Sequence, residues 1–136
     1  MRPVHYLVVH CTATPQNTTV DSILRYWRNE LKWKNPGYHV IVKANGDAVE
    51  LLPITLVSNG VAGHNHDSIH ISYIGGIDDS GRAKDTRTIA QKATILKYLK
   101  KWKAMFPGAK IQGHRDFPGV KKSCPSFNAI PEYSML

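Results

Sequence analysis

The sequence predicts an α/β fold: a central mixed β-sheet flanked by helices, in a single domain. Three observations carry this. Short, β-branched apolar runs recur near the start, middle and end of the chain. Two longer stretches, 19–31 and 88–105, repeat apolar residues at helical spacing. Strand and helix signals alternate along the chain instead of segregating. With 136 residues, one domain over 1–136 is the simplest division, and a chain of this size can bury roughly two-thirds of its unfolded surface.

The elements follow in order. Residues 6–10 (Tyr-Leu-Val-Val-His) read as a buried central strand. Thr18 with Asp21 resembles a capping box, and Val20, Ile23, Leu24, Trp27 and Leu31 give a helix over about 19–31. Asn35-Pro36-Gly37 ends it. Residues 38–42 form a second strand, Asn45-Gly46 is a two-residue hairpin turn, and 47–52 return. Residues 53–67 read as loop. Over 68–74 the sequence alternates, with Ile69, Ile71 and Tyr73 on one face. Residues 78–87 are polar and read as an exposed loop. The second helix covers about 88–105, with Ile89, Ala93, Leu96, Leu99 and Lys103 on one stripe and Ile95 and Trp102 beside it; Pro107-Gly108 stops it. A short strand at 109–112 precedes a mostly irregular tail. The three tryptophans, Trp27, Trp33 and Trp102, fit burial against helices better than a sugar platform.

Composition narrows the function. At 42% hydrophobic and 21% charged residues the chain is globular in character, and no apolar run approaches the roughly 20 residues of a membrane span. The first ten residues lack the apolar stretch of a signal peptide, so synthesis is expected in the cytoplasm. A net charge of +8 draws the protein to polyanions such as nucleic acid, an anionic membrane surface or cell wall. Charge alone does not choose among them. No nucleic-acid motif accompanies it, and steep salt dependence of DNA binding would be that reading's signature. The two cysteines, Cys11 and Cys124, make no disulfide framework.

Three features bear chemistry: His10 at the end of the first strand, Gly113-His114-Arg115-Asp116 after the last, and Lys122-Ser123-Cys124-Pro125. Two imidazoles and a thiolate make a three-ligand zinc site with the fourth position open, the pattern of catalytic zinc. The spacing alone is weak, since a strand histidine, a loop histidine and a small core cysteine explain it equally well. Arg115 is open to two readings, contact with substrate carboxylates or with a surface acid. Asp116 either holds a histidine or caps a turn. Cys11, next to His10 in a strand, points to the opposite face as a core thiol. His64, His66 and His70 lie in loop and strand and are not read as a second metal site.

Taken together, certain stretches say more: 8–14 (Val-Val-His-Cys-Thr-Ala-Thr), 37–41 (Gly-Tyr-His-Val-Ile), Gly63-His64-Asn65, Ser68-Ile69, 73–78 (Tyr-Ile-Gly-Gly-Ile-Asp), Asp85-Thr86-Arg87-Thr88 with Gln91, 113–116, and 122–127 (Lys-Ser-Cys-Pro-Ser-Phe). In this order they resemble the type 2 N-acetylmuramoyl-L-alanine amidases, especially the small phage lysozyme-type enzymes, with peptidoglycan recognition proteins as more distant relatives. The resemblance implies an amidase/peptidoglycan recognition protein-like sheet. It implies one zinc ion held by His10, His114 and Cys124, catalytic roles for Tyr38 and Lys122, and a place for His64 in the substrate groove. It also implies hydrolysis of the amide between the lactyl group of N-acetylmuramic acid and L-alanine of peptidoglycan, by a phage endolysin reaching the wall after release. His70 departs from the family, where glycine is common; it is expected to narrow the groove or to face solvent. Relatives without the ligand cysteine bind peptidoglycan without cutting it, and Cys124 counts against that alternative. Some phage relatives also inhibit their phage RNA polymerase, which makes that enzyme a partner to test by pull-down.

Overall fold

The computed structural model describes residues 2–136. The elements are β1 (Tyr6–Cys11), α1 (Val20–Arg25), β2 (Val40–Val42), β3 (Ala48–Glu50), β4 (Ser68–Tyr73), α2 (Ile89–Met105), β5 (Lys110–Gly113) and α3 (Ala129–Glu132). The strands form one sheet in the order β3-β2-β4-β1-β5. β1 runs parallel to β4 and β5, and β2 parallel to β4; only β3 is antiparallel to its neighbour. The expected mixed sheet with helices is therefore present. The Asn45-Gly46 turn closes β2 onto β3, with Gly46 at φ +91° as this turn demands.

Alternation gives the sheet two different faces. Leu7, Val9 and Cys11 of β1 and Ile69, Ile71 and Tyr73 of β4 join Ile95, Leu99 and Trp102 of α2 in the main core. On the other face a smaller cluster joins Ile23 and Trp27 to Ile41 and Ile74. That face also carries His10, His70 and Ser72, all at most 1% exposed. One face is thus conventional core, and the other buries imidazoles and hydroxyls.

Several elements depart from the sequence reading. Thr19, not Thr18, caps α1: its hydroxyl accepts the Ser22 N–H. The helix does not run regularly to residue 31; from Tyr26 to Glu30 it widens into a π-helix, closed by Leu31 N–H donating to Tyr26 O. On α2 the buried stripe is Gln91, Ile95, Leu99 and Trp102, while Ile89 is 88% exposed. The stripe is rotated because Gln91, although polar, is buried with its amide donating to Val42 O and Ile74 O. The 78–87 loop ends in a buried residue: Arg87 bonds both Asp85 and Glu132 and lies over the Phe127 ring. The tail is thereby tied to the start of α2.

Candidate metal centre and active site

β1 lies between two parallel neighbours, so the carboxyl ends of β4, β1 and β5 share one edge, where open α/β sheets build their sites. His10 is the penultimate residue of β1. The β1–β5 register sets Val9 opposite Gly113, so the next residue, His114, comes alongside His10. Their ring centroids are 4.9 Å apart. Cys124 arrives on the loop after β5. The Arg115 N–H donates to Cys124 O at 2.9 Å, and the Arg115 guanidinium braces Ser123 O and Asn128 Oδ1. Asp116 caps the turn by accepting the Gly113 N–H at 2.8 Å, so of its two readings the turn cap is the one found. Gly113 also leaves room for the loop: a Cβ there would stand 2.6 Å from Pro125 Cδ.

Donor atoms of His10, His114 and Cys124 all lie within 4.8 Å of one another, the one such group among the described residues. Cys124 Sγ is 3.7 Å from His10 Nδ1. Tetrahedral zinc at its usual bond lengths separates nitrogen and sulfur ligands by about 3.6 Å. The donor set and the His10–Cys124 spacing therefore fit zinc, and three such donors would leave a fourth position for water or substrate.

Electrostatics favour ligation by the imidazoles. Burial holds His114 down to about 4, with Lys122 adding to the effect. Burial also holds His10 well below its ordinary value, reinforced by His70 and His114. Both rings are neutral at neutral pH and keep a lone pair. The two thiols share a site. Their mutual hydrogen bond lowers Cys11 to about 7 and, with burial, raises Cys124. A cation at the cluster would draw the negative charge to Cys124 instead, where the Cys11 backbone N–H already donates to Sγ at 3.2 Å.

The cluster adjoins a cavity of about 980 Å³ lined by His114, Cys124, Lys122, Tyr38, Trp27 and Trp33 among others. Tyr38 stands over His10 at 4.9 Å between centroids, and its hydroxyl donates to Cys11 O. Burial raises its pKa, which keeps the phenol protonated. Trp27 and Trp33 stack at 6.2 Å, so these two indoles form cavity wall as well as packing, whereas Trp102 is core. His64 packs on Phe117 at 4.5 Å and near Tyr6. Neither His64 nor Arg115 lines the cavity.

His70 corrects an expectation. It does not face solvent: it is 0% exposed, and its Nδ1 lies 2.8 Å from His10 Nε2. Asn65 stands behind it, Oδ1 to Nε2, at 2.9 Å. Sequence reading missed both roles. The one available signal was that His70 shares strand parity with Ser68 and Ser72, a polar face inside an otherwise apolar strand.

Known proteins resemble this chain in sequence and in fold. The endolysin of Escherichia phage T7 is 36% identical over 124 residues, covering 90% of this chain and 80% of that protein. The solved endolysin of Thermus scotoductus bacteriophage Ph2119 shares the fold at a TM-score of 0.82 and 23% identity, over 97% of this chain and 83% of that one. The N-acetylmuramoyl-L-alanine amidase LysC from Clostridium intestinale aligns at a TM-score of 0.79 and 19% identity, over 96% and 82% respectively. A family model described as N-acetylmuramoyl-L-alanine amidase matches residues 1–127, and the chain belongs to that family.

Proposed function

We propose that this protein is a zinc-dependent N-acetylmuramoyl-L-alanine amidase of endolysin type, with residues 1–136 forming one catalytic domain. It hydrolyses the amide between the lactyl group of N-acetylmuramic acid and L-alanine, acting on the wall after release from the cytoplasm. The observation that carries this reading is the convergence of two neutral imidazoles and a thiol beside a large cavity that Lys122 and Tyr38 also line. His10, His114 and Cys124 would hold the metal. Zinc bound there supplies Lewis acidity toward water and the scissile carbonyl. The remaining work falls to the chain. As the carbonyl becomes tetrahedral its oxygen gains negative charge, and the Lys122 ammonium stabilises that charge. The Tyr38 phenol, kept protonated by burial, has a hydrogen to donate to the same oxygen once it leaves Cys11 O. Trp27 and Trp33 offer apolar wall to the substrate. Arg115 acts from behind, by holding the loop that carries Cys124. The +8 charge favours the anionic wall as partner.

Product analysis tests the reading. Purified peptidoglycan is digested with zinc-loaded and chelator-stripped protein, and the products are weighed by mass spectrometry. Stem peptides with a free L-alanine amino group, made only by the zinc form, are expected. New reducing sugar ends would instead mean a glycosidase. Cys124→Ala should lose metal and activity together. Lys122→Ala should keep zinc and lose turnover by about 10²–10³-fold, the usual cost of one oxyanion-stabilising group.

A further inference from the structure

The hydrogen bonds behind His10 run in one direction only. The Val61 backbone N–H can only donate, and it meets Asn65 Oδ1 at 2.7 Å. That contact fixes the Asn65 amide: the atom facing both Val61 and His70 is the oxygen. His70 Nε2, 2.9 Å from the same oxygen, must therefore carry the proton. In a neutral ring His70 Nδ1 is then the acceptor, and it faces His10 Nε2 at 2.8 Å. His10 must carry its proton on Nε2. Its lone pair is left on Nδ1, the atom that faces Cys124 Sγ. No carboxylate is a hydrogen-bond partner of either ring among the described residues.

The ring of His70 is itself fixed. Its backbone N–H donates to His39 Nδ1 at 3.0 Å, and the two imidazoles stack at 6.0 Å, only 9° from parallel. His39 is held in turn by donating from Nε2 to Leu56 O at 2.8 Å. On the other side Gly60 leaves the space: a Cβ there would stand 2.4 Å from His70 Nδ1.

We propose that His70 is a positioning residue, which with Asn65 fixes the tautomer and ring plane of His10 so that Nδ1 is presented to the metal. It touches neither metal nor substrate. The inference rests on the metal reading above and adds to it a dedicated orienting pair behind the most deeply buried ligand. Outer partners of metal-bound histidines act this way generally, and losing one typically costs 10–100-fold in metal affinity or activity.

The test is zinc affinity, measured by competition with a chromophoric chelator, for native protein, His70→Ala and His70→Asn. Asparagine places an amide oxygen near the position of Nδ1 and so restores the acceptor. His70→Ala is expected to bind zinc 10–100-fold more weakly, and His70→Asn to recover most of that loss. Thermal denaturation of the metal-free proteins separates positioning from packing. A packing role alone would lower the Tm of the variants and leave the zinc affinity of the folded protein unchanged, which overturns the proposal. Long-range proton–nitrogen spectra of metal-free native protein give an answer without a variant. His10 protonated on Nε2 is expected, and His10 protonated on Nδ1 overturns the proposal. Native protein that binds no zinc would overturn the metal reading and this inference with it. Native protein that binds zinc no better than His70→Ala would overturn the inference alone.

Discussion

Gly60 and His70 occupy one space between them. A methyl group on Gly60 would collide with the imidazole, whose Cγ would be 2.5 Å away and Nδ1 2.4 Å away. Gly60→Ala should therefore push the His70 ring off His10 and destabilise the metal-free protein by about 1–3 kcal/mol, the ordinary cost of overpacking. In a His70→Ala background the same change should cost much less, because the ring that it strikes has gone. Chemical denaturation of the four proteins in this cycle measures the difference, and additive effects would disprove the clash. At this scale the sequence marked three candidate donors and was silent about the residues packed behind them. His10, His114 and Cys124 stand in short motifs whose residue types suit a metal. His70 and Gly60 lie ten residues apart, in a strand and a loop, and only the packing of that loop over the sheet makes them neighbours. Nothing local to either residue marks the pair.

The elements show the same division between periodic pattern and contact. Strands were legible from short β-branched apolar runs, as in β1, and from apolar alternation in β4, where Ile69, Ile71 and Tyr73 join the core with α2. The face of α2 was misjudged because Gln91 behaves as a core residue once its amide is satisfied by strand-side carbonyls. Its other atoms complete the helix start: Gln91 Oε1 accepts the Thr88 N–H, and the Thr88 hydroxyl accepts the Gln91 N–H while donating to Ala44 O. Thr88→Ala should cost about 1 kcal/mol for the lost cap, a fall in Tm of roughly 3–6 °C for a domain of this size. The widening of the first helix was not legible either. Its spacing fits an α-helix until Trp27, which is wanted in two places, in the Ile23–Ile41 cluster and against Trp33. The π-turn begins beside it, and π-turns recur where helices line functional sites.

Across the whole molecule, an unusual share of the interior is imidazole. His10, His39 and His70 are at most 1% exposed, and burial is the largest cause holding each one, and His114, below its ordinary value; His39 and His114 fall to about 4. Unfolded, each takes up a proton near pH 6.5. Above that value both states are neutral there, and the fold keeps its full stability. Below it the unfolded chain binds more protons than the folded one, so stability falls with pH until His39 and His114 also protonate in the fold near pH 4. The Tm of metal-free protein should therefore drop steeply between about pH 7 and pH 4, followed by thermal melts in chelator; a flat profile would contradict the buried neutral state. No helix among the described residues is long and apolar enough to cross a membrane. An ion held by residues 10, 114 and 124 would fasten the first strand to the last loop, closing a ring that contains most of the polypeptide. Unlike a covalent cross-link it would let go of the open chain, so its stabilisation would come from binding the folded form alone. Free zinc at a hundred times its dissociation constant would add about 2.7 kcal/mol to folding. The melting temperature should then climb with each addition of zinc to stripped protein, and an ion that did this would be a clasp on the molecule as well as a reagent within it.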